Sequence, residues 1–315
     1  MPNNAETLPR SAMPAQGQDS QPVVFSLYTK KKRPSDLLLK IAIYGAAVIT
    51  VVILAGILIY ILANGLPAIS WDFLTSTFSQ SSETERGILP MLINTLYIVL
   101  ITLLIATPIG ICSAIYLTQY AKQGRLVKTI RFTTEVLSGI PSIIFGLFGY
   151  SVFCILFRLN TSILAGCLTM TICILPTIVR TTEESLLAVP SSYKEGAMAL
   201  GAGKLRVVLG IVLPCAMPGV LTSVILAMGR IVGESAALLY TAGLSYYMPK
   251  EGVEGAIQHI TESGRTLTLH LYQTAMESTR PDSFQIAFAT AAVLLVLIFV
   301  LNLLAAAISK VLKKG

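Results

Sequence analysis

Two charges stand inside the apolar stretch MPGVLTSVILAMGRIVGESAALLYTAG (217–243): Arg230 and Glu234. An ionised side chain is costly in hydrocarbon, so each must face a partner or a water-filled path. Placed four apart on a helix they share one face, and Ser223, seven residues before Arg230, falls on the same side. Arginine offers a planar fork of N–H donors suited to oxyanions and stays charged at any physiological pH. One reading is an anion path in which Glu234 holds Arg230 and partly neutralises the empty channel. The other is an ion pair that only fixes helix packing. Gly229 and Gly233 flank the pair with the small-xxx-small spacing that permits close helix contact. Arg180, at the inner end of an earlier apolar run, either guards the inner mouth or is an ordinary basic anchor. Glu183 and Glu184 read as solvated loop charges.

Other chemistry is poorly supplied. The cysteines Cys112, Cys154, Cys167, Cys173 and Cys215 lie in or at the start of apolar runs, without metal-ligand spacing, and read as small apolar core residues. His259 and His270 fall in one polar loop. No nucleophile–base pair or metal set stands inside the apolar runs. The Gly201-Ala202-Gly203-Lys204 segment lacks the rest of a phosphate-binding loop, because Met198 and Leu205 occupy the positions that need Gly and Ser or Thr. The expectation is a non-catalytic chain with no metal and no cofactor of its own.

The elements that must position these residues follow from composition. The 315 residues are 54% hydrophobic and only 12% charged, with a mean hydropathy of +0.74. Soluble domains carry about 25% charged residues, so a bilayer is the natural solvent for this chain. A hydrocarbon core of about 30 Å takes about 20 apolar helical residues. Six runs qualify, at 37–63, 90–118, 132–157, 161–179, 216–240 and 284–309. In the third, Gly139, Pro141, Gly146 and Gly149 predict a kink and close packing. Residues 1–36 read as a disordered tail, 37–310 as a transmembrane domain and 311–315 as a short tail. Basic residues crowd the segments on one side, beginning with Lys30-Lys31-Lys32-Arg33. The opposite segments hold only Arg86, Arg158, Lys250, Arg265 and Arg280. The bias predicts cytoplasmic N- and C-termini in a multi-pass cell-membrane protein, and it accounts for the +7 net charge without nucleic acid. Trp71, near Phe73 and Phe78, reads as an interfacial anchor.

The segment RTTEESLLAVPSSYKEGAMALGAGKLRVVLGIVLP (180–214) predicts a cytoplasmic helical hairpin. Ser192 and Glu195 have capping-box spacing after Pro190. Tyr193, Ala197 and Leu200 then line one apolar face. Gly201 and Gly203 stop that helix, and a second runs from Lys204 to Leu213, ending at Pro214. Here the sequence resembles the EAA motif of ABC-importer permeases. Glu195, Ala197, Gly201, Ile211, Leu213 and Pro214 match its spacing, and Gly196 replaces an Ala. The resemblance implies that the first short helix is a coupling helix docking on a separate ATPase subunit, which alone binds ATP.

SGIPSIIFGLFG (138–149), RTTEE (180–184) and GRIVGESAALLYTAG (229–243) further resemble the phosphate-specific permeases, the PstA-type more than the PstC-type. The implied architecture is an all-α integral membrane fold of six transmembrane helices with cytoplasmic coupling helices. The implied function is the permease subunit of an ATP-driven phosphate importer, forming half of the pathway. Its implied partners are a PstC-type permease, an ATPase dimer and an external phosphate-binding protein. The family's intramembrane arginine and glutamate correspond to Arg230 and Glu234, and its loop arginine to Arg180. Glu234 can also accept the proton of a monohydrogen phosphate. Alternatives of the same class carry molybdate, sulfate or a phosphonate; a stand-alone secondary transporter or channel is the other class.

Overall fold

The structure is a computed structural model that describes residues 34–79, 86–250, 252–278 and 280–312. The tail before Pro34, with its basic cluster, and the last three residues lie outside these. Thirteen α-helices occur in the described residues: α1 Pro34–Gly65, α2 Trp71–Thr75, α3 Leu89–Ile115, α4 Arg125–Ser138, α5 Ser142–Gly149, α6 Ile163–Leu187, α7 Ser191–Ala199, α8 Lys204–Val207, α9 Leu213–Gly233, α10 Ala236–Thr241, α11 Gly252–Ile260, α12 Leu267–Met276 and α13 Ser283–Leu312. The chain divides into two units, residues 1–55 and 56–315. The described part of the first is the opening stretch of α1, whose large apolar side chains are exposed.

Five helical stretches are long and apolar enough to cross a membrane: Leu37–Ala68, Leu89–Tyr120, Ile163–Leu187, Lys204–Gly233 and Ser283–Ala307. The expected third span is a bent pair. The stretches Arg125–Ser138 and Ser142–Leu156 meet at 101°, so the kink predicted at Gly139 and Pro141 is a corner. Proline removes a backbone donor and forces the residue before it out of the helical region, and here it starts a new helix. Counting the bent pair as one span gives six.

The core of the second unit is α3, α6 and α9, with α5, α10 and α13 against it. Ile98, Ala106, Cys167, Met170, Ile174, Ile178, Ala227 and Ile231 form its main buried cluster. Small residues set the spacing. A Cβ on Gly110 of α3 would meet Ile178 of α6 at 2.6 Å, and one on Gly219 of α9 would meet Ser185 at 1.9 Å. Gly146 of α5 lies against α10, where a Cβ would stand 2.9 Å from the Ala237 Cα. Gly229 and Gly233 of α9 have no neighbour within 4 Å of a built Cβ, so within this chain they seat no other helix. Cys154, Cys167 and Cys173 are buried as expected of core residues, but Cys112 and Cys215 are exposed.

At one end α2, α11 and α12 form a cap. Ser70 caps α2 by accepting from the Phe73 N–H, and Thr266 caps α12 by accepting from that of Leu269. Phe73 and Phe78 are buried in a second apolar cluster, while Trp71 is exposed. The two histidines are not loop residues: His259 sits on α11 and His270 on α12, both buried. Asn94 of α3 ties the cap down. Its Nδ2 donates to the Arg265 carbonyl at 3.1 Å, and its Oδ1 accepts from His259 Nε2 at 2.7 Å. At the opposite end lie α7 and α8.

Candidate functional site

Arg230 occupies the last turn of α9, where the helix dipole favours a cation. Immediately beyond it the helix breaks. Glu234 leaves helical geometry at φ −83°, ψ 126°, and a new short helix begins at Ala236. Arg230 and Glu234 therefore do not share one helix face, and no ion pair joins them among the described residues. Glu234 Oε1 instead accepts from the Ala237 N–H at 3.1 Å, capping α10. Thr268 of α12 donates to the Val232 carbonyl, satisfying the frayed end of α9. The break carries no proline; the available signal is Gly233, which ends α9 and reads in the sequence as a packing glycine.

Arg230 is half-buried, and its side-chain partner is a sulfur: Nη2 lies 3.6 Å from Cys173 Sγ on α6. Seven residues further along α6, on the same face and about 10 Å away by helical rise, stands Arg180. α6 continues to Leu187, so Arg180, Glu183 and Glu184 are helical and the connecting loop is shorter than the expected 180–214. Arg180 pairs with Glu184 at 3.1 Å and lies 3.9 Å from Glu135 of α4. Glu183 is not a solvated charge. It is buried, and its Oε1 accepts from Arg131 Nε of α4 at 2.6 Å. Arg131, Glu135, Arg180, Glu183 and Glu184 line a recess of about 300 Å³. Arg131 and Glu135 escaped sequence reasoning, although their i, i+4 opposite charges mirror those on α6. Ser223 is fully buried, donating to the Val220 carbonyl at 2.6 Å and lying 3.3 Å from Thr182 Oγ1. It struts α6 against α9.

The hairpin helix α7 begins at Ser191 with Pro190 as cap, and the expected Ser192–Glu195 capping box does not form. Proline fixes the entry geometry without it. The helix ends on Gly201 at φ +85°. The Gly201 N–H donates to the Met198 carbonyl and that of Ala202 to Ala197, closing a Schellman turn. Tyr193, Ala197 and Leu200, read as one apolar face, are not buried as one. Ala197 packs inward beside Leu186, Val207 and Leu213, whereas Tyr193 is exposed and Leu200 is 91% exposed. Glu195 and Gly196 are exposed too, and nothing lies within 4 Å of a Cβ built on Gly196. Lys194 Nζ donates to Gln119 at 3.1 Å, and Lys204 Nζ lies 4.8 Å above the Tyr120 ring, so both strands of the hairpin are tied to the end of the α3 stretch. The second helix does not stop at Pro214. A π-helical turn over Val208–Val212, which includes Ile211, carries α8 into α9. The wider turn shifts the hydrogen-bond register before the proline, which has no N–H to contribute.

The family described as binding-protein-dependent transport system inner membrane component matches residues 106–314. A probable ABC transporter permease protein, YqgI of Bacillus subtilis, is 36% identical, covering 82% of this chain and 90% of its own. The phosphate transport system permease protein PstA of Haemophilus influenzae is 34% identical, covering 82% and 89%. Among solved structures, a bacterial alginate ABC transporter in complex with an alginate-bound periplasmic protein aligns with a TM-score of 0.62 at 16% identity, over 89% of this chain and 96% of that one. With its apolar helical stretches and the jointed α9–α10 segment, the chain belongs to the family of inner membrane components of binding-protein-dependent transport systems, the permease subunits of ABC importers.

Proposed function

We propose that this chain is the PstA-type permease subunit of a phosphate importer, and that Arg230 is its contact with the anion in transit. The observation that carries the reading is a half-buried arginine between apolar helices whose side-chain contact is a thiol and which, among the described residues, has no carboxylate within ion-pair distance. A guanidinium without an ion-paired carboxylate in such a place keeps donors free for an oxyanion. The named phosphate permeases among its relatives supply the cargo. Glu234, with one oxygen on α10, stands at the joint close to Arg230 and accepts a hydrogen bond from the P–O–H of monohydrogen phosphate with the other. Arg180, held by exposed carboxylates, exchanges those partners for the departing anion at the cytoplasmic mouth. The exposed side of α7 (Tyr193, Glu195, Gly196, Leu200) docks on a cytoplasmic ATPase, Gly201 turns the chain back, and Ile211, Leu213 and Pro214 join the hairpin to α9. The remaining partners are a PstC-type permease and an external phosphate-binding protein.

The test is uptake of labelled phosphate into proteoliposomes holding the whole transporter. Arg230→Gln is expected to abolish uptake while assembly and ATP binding persist. Full uptake by a normally assembled variant sinks the reading. Competition by molybdate, sulfate or phosphonate at least as effective as unlabelled phosphate would instead change the cargo.

A further inference from the structure

A second arginine is more deeply buried than Arg230 and lies in the cap. Arg265 is 5% exposed. Its Nε donates to the Leu244 carbonyl at 3.0 Å, its Nη1 lies 3.5 Å from His270 Nδ1, and its guanidinium stands 5.3 Å from the Tyr246 ring. Among the described residues no carboxylate comes within ion-pair distance of it, whereas nearby Arg280 has Asp282 at 3.0 Å. The carboxylate of Glu277 acts on it from across the recess, so this buried cation has a negative charge nearby but none in contact, a disfavoured arrangement.

Arg265 lines a recess of about 110 Å³, walled also by Phe78, Gln273, Thr274, Glu277 and Ser278. One wall has the opposite deficiency. Gln273 Oε1 is buried with no donor, while its Nε2 is turned to Glu277 Oε2 at 3.3 Å. The recess thus joins a cation with no anion in contact to an acceptor lacking a proton, and Glu277, its Oε2 engaged by Gln273, favours a ligand that brings a proton with its charge. A ligand that satisfies both carries negative charge and a hydroxyl on the same small group.

We propose that this recess binds a protonated oxyanion, monohydrogen or dihydrogen phosphate, with Arg265 pairing to its charged oxygens and Gln273 Oε1 accepting from its P–O–H. Sulfate and the phosphodiester of a lipid head group offer charge but no proton at neutral pH. The inference rests on the reading of this chain as a phosphate permease. On that reading the cap faces outward, and the recess is a waiting site that the anion meets before Arg230.

The experiment is equilibrium binding of labelled inorganic phosphate to the complete transporter in nanodiscs, without binding protein and with sulfate as competitor. Arg265→Gln is expected to weaken this binding about tenfold or more, the loss of a charge-assisted hydrogen bond. Gln273→Leu weakens phosphate and lets sulfate compete. Arg265→Lys, which keeps the charge, retains partial binding, and it serves as the measure should the Gln variant fail to assemble. Equal phosphate binding by wild type and Arg265→Gln overturns the proposal. So does displacement by sulfate as effective as by phosphate, or a co-purifying phospholipid lost with Arg265→Gln in place of phosphate. Arg230→Gln stops uptake, and in that background Arg265→Gln still lowers the remaining phosphate binding. Uptake that survives Arg230→Gln while Arg265 still governs binding sinks the pathway reading and not this one.

Discussion

At the scale of single residues, burial decides what each charge does. Arg280 hydrogen-bonds Asp282 and holds its carboxyl below the usual range. Burial brings Arg265 down to about 10 and, with help from Arg265 and Arg280, His270 to about 3. His270 consequently stays neutral in the folded chain at a pH where an unfolded histidine takes up a proton. Between about pH 6.5 and 3 the unfolded state binds more protons, so stability falls as pH falls, by at most about 1.4 kcal/mol per unit. We expect the melting temperature of the nanodisc-embedded transporter to drop from pH 7 to pH 5, and the drop to shrink in His270→Asn. An identical drop in the variant assigns the acid sensitivity elsewhere. His259, also lowered by burial, adds to the effect in the same direction. None of this was legible in the sequence, where His259, Arg265 and His270 sit in a polar stretch. Only the fold of α11 and α12 against α3 removes them from water. Arg230 was legible because its apolar neighbours are contiguous in the chain.

At the scale of elements, composition marked the helices and missed their joints. Gly139 and Pro141 announced a corner. The continuation of α6 through Arg180, Glu183 and Glu184 was hidden because the charges that suggested a loop are held by Arg131 and Glu135 on another helix. The passage through Pro214 was hidden because a π-helical turn absorbs it. The turn at Gly201 was readable from spacing alone, and its positive φ explains why glycine stands there. A β-branched residue in that conformation costs about 1–2 kcal/mol. We expect Gly201→Val to raise the ATP hydrolysed per phosphate imported, with Gly201→Asn much milder, since asparagine tolerates the left-handed region. Equal coupling in both variants removes the turn from the transmission path.

For the whole molecule, the basic bias and the apolar bands on α1, α3 and α13 make the bilayer part of the structure. Leu100, Leu104, Phe299 and Leu303 remain exposed in the isolated chain, as lipid-facing or subunit-facing residues should. The basic bias predicts that the two ends lie on opposite sides of the membrane, with α7 inside and α11 and α12 outside. Alkaline phosphatase fused after Tyr247 is expected to be active and the same reporter after Gly203 inactive; the reverse pattern inverts the topology.

The interruption at Glu234 has a mechanical consequence. A continuous rod would carry a displacement from one face of the membrane to the other. Here the rod leading up from the hairpin stops at Gly233, and the next piece is clamped elsewhere, by Gly146 and by Gly166 against Ala242. On the proposed coupling, a stroke passed up from the hairpin would meet a flexible point here, and the last long side chain before that point is Arg230. A bend at Glu234 would reorient its guanidinium, the one charged side chain that α9 carries.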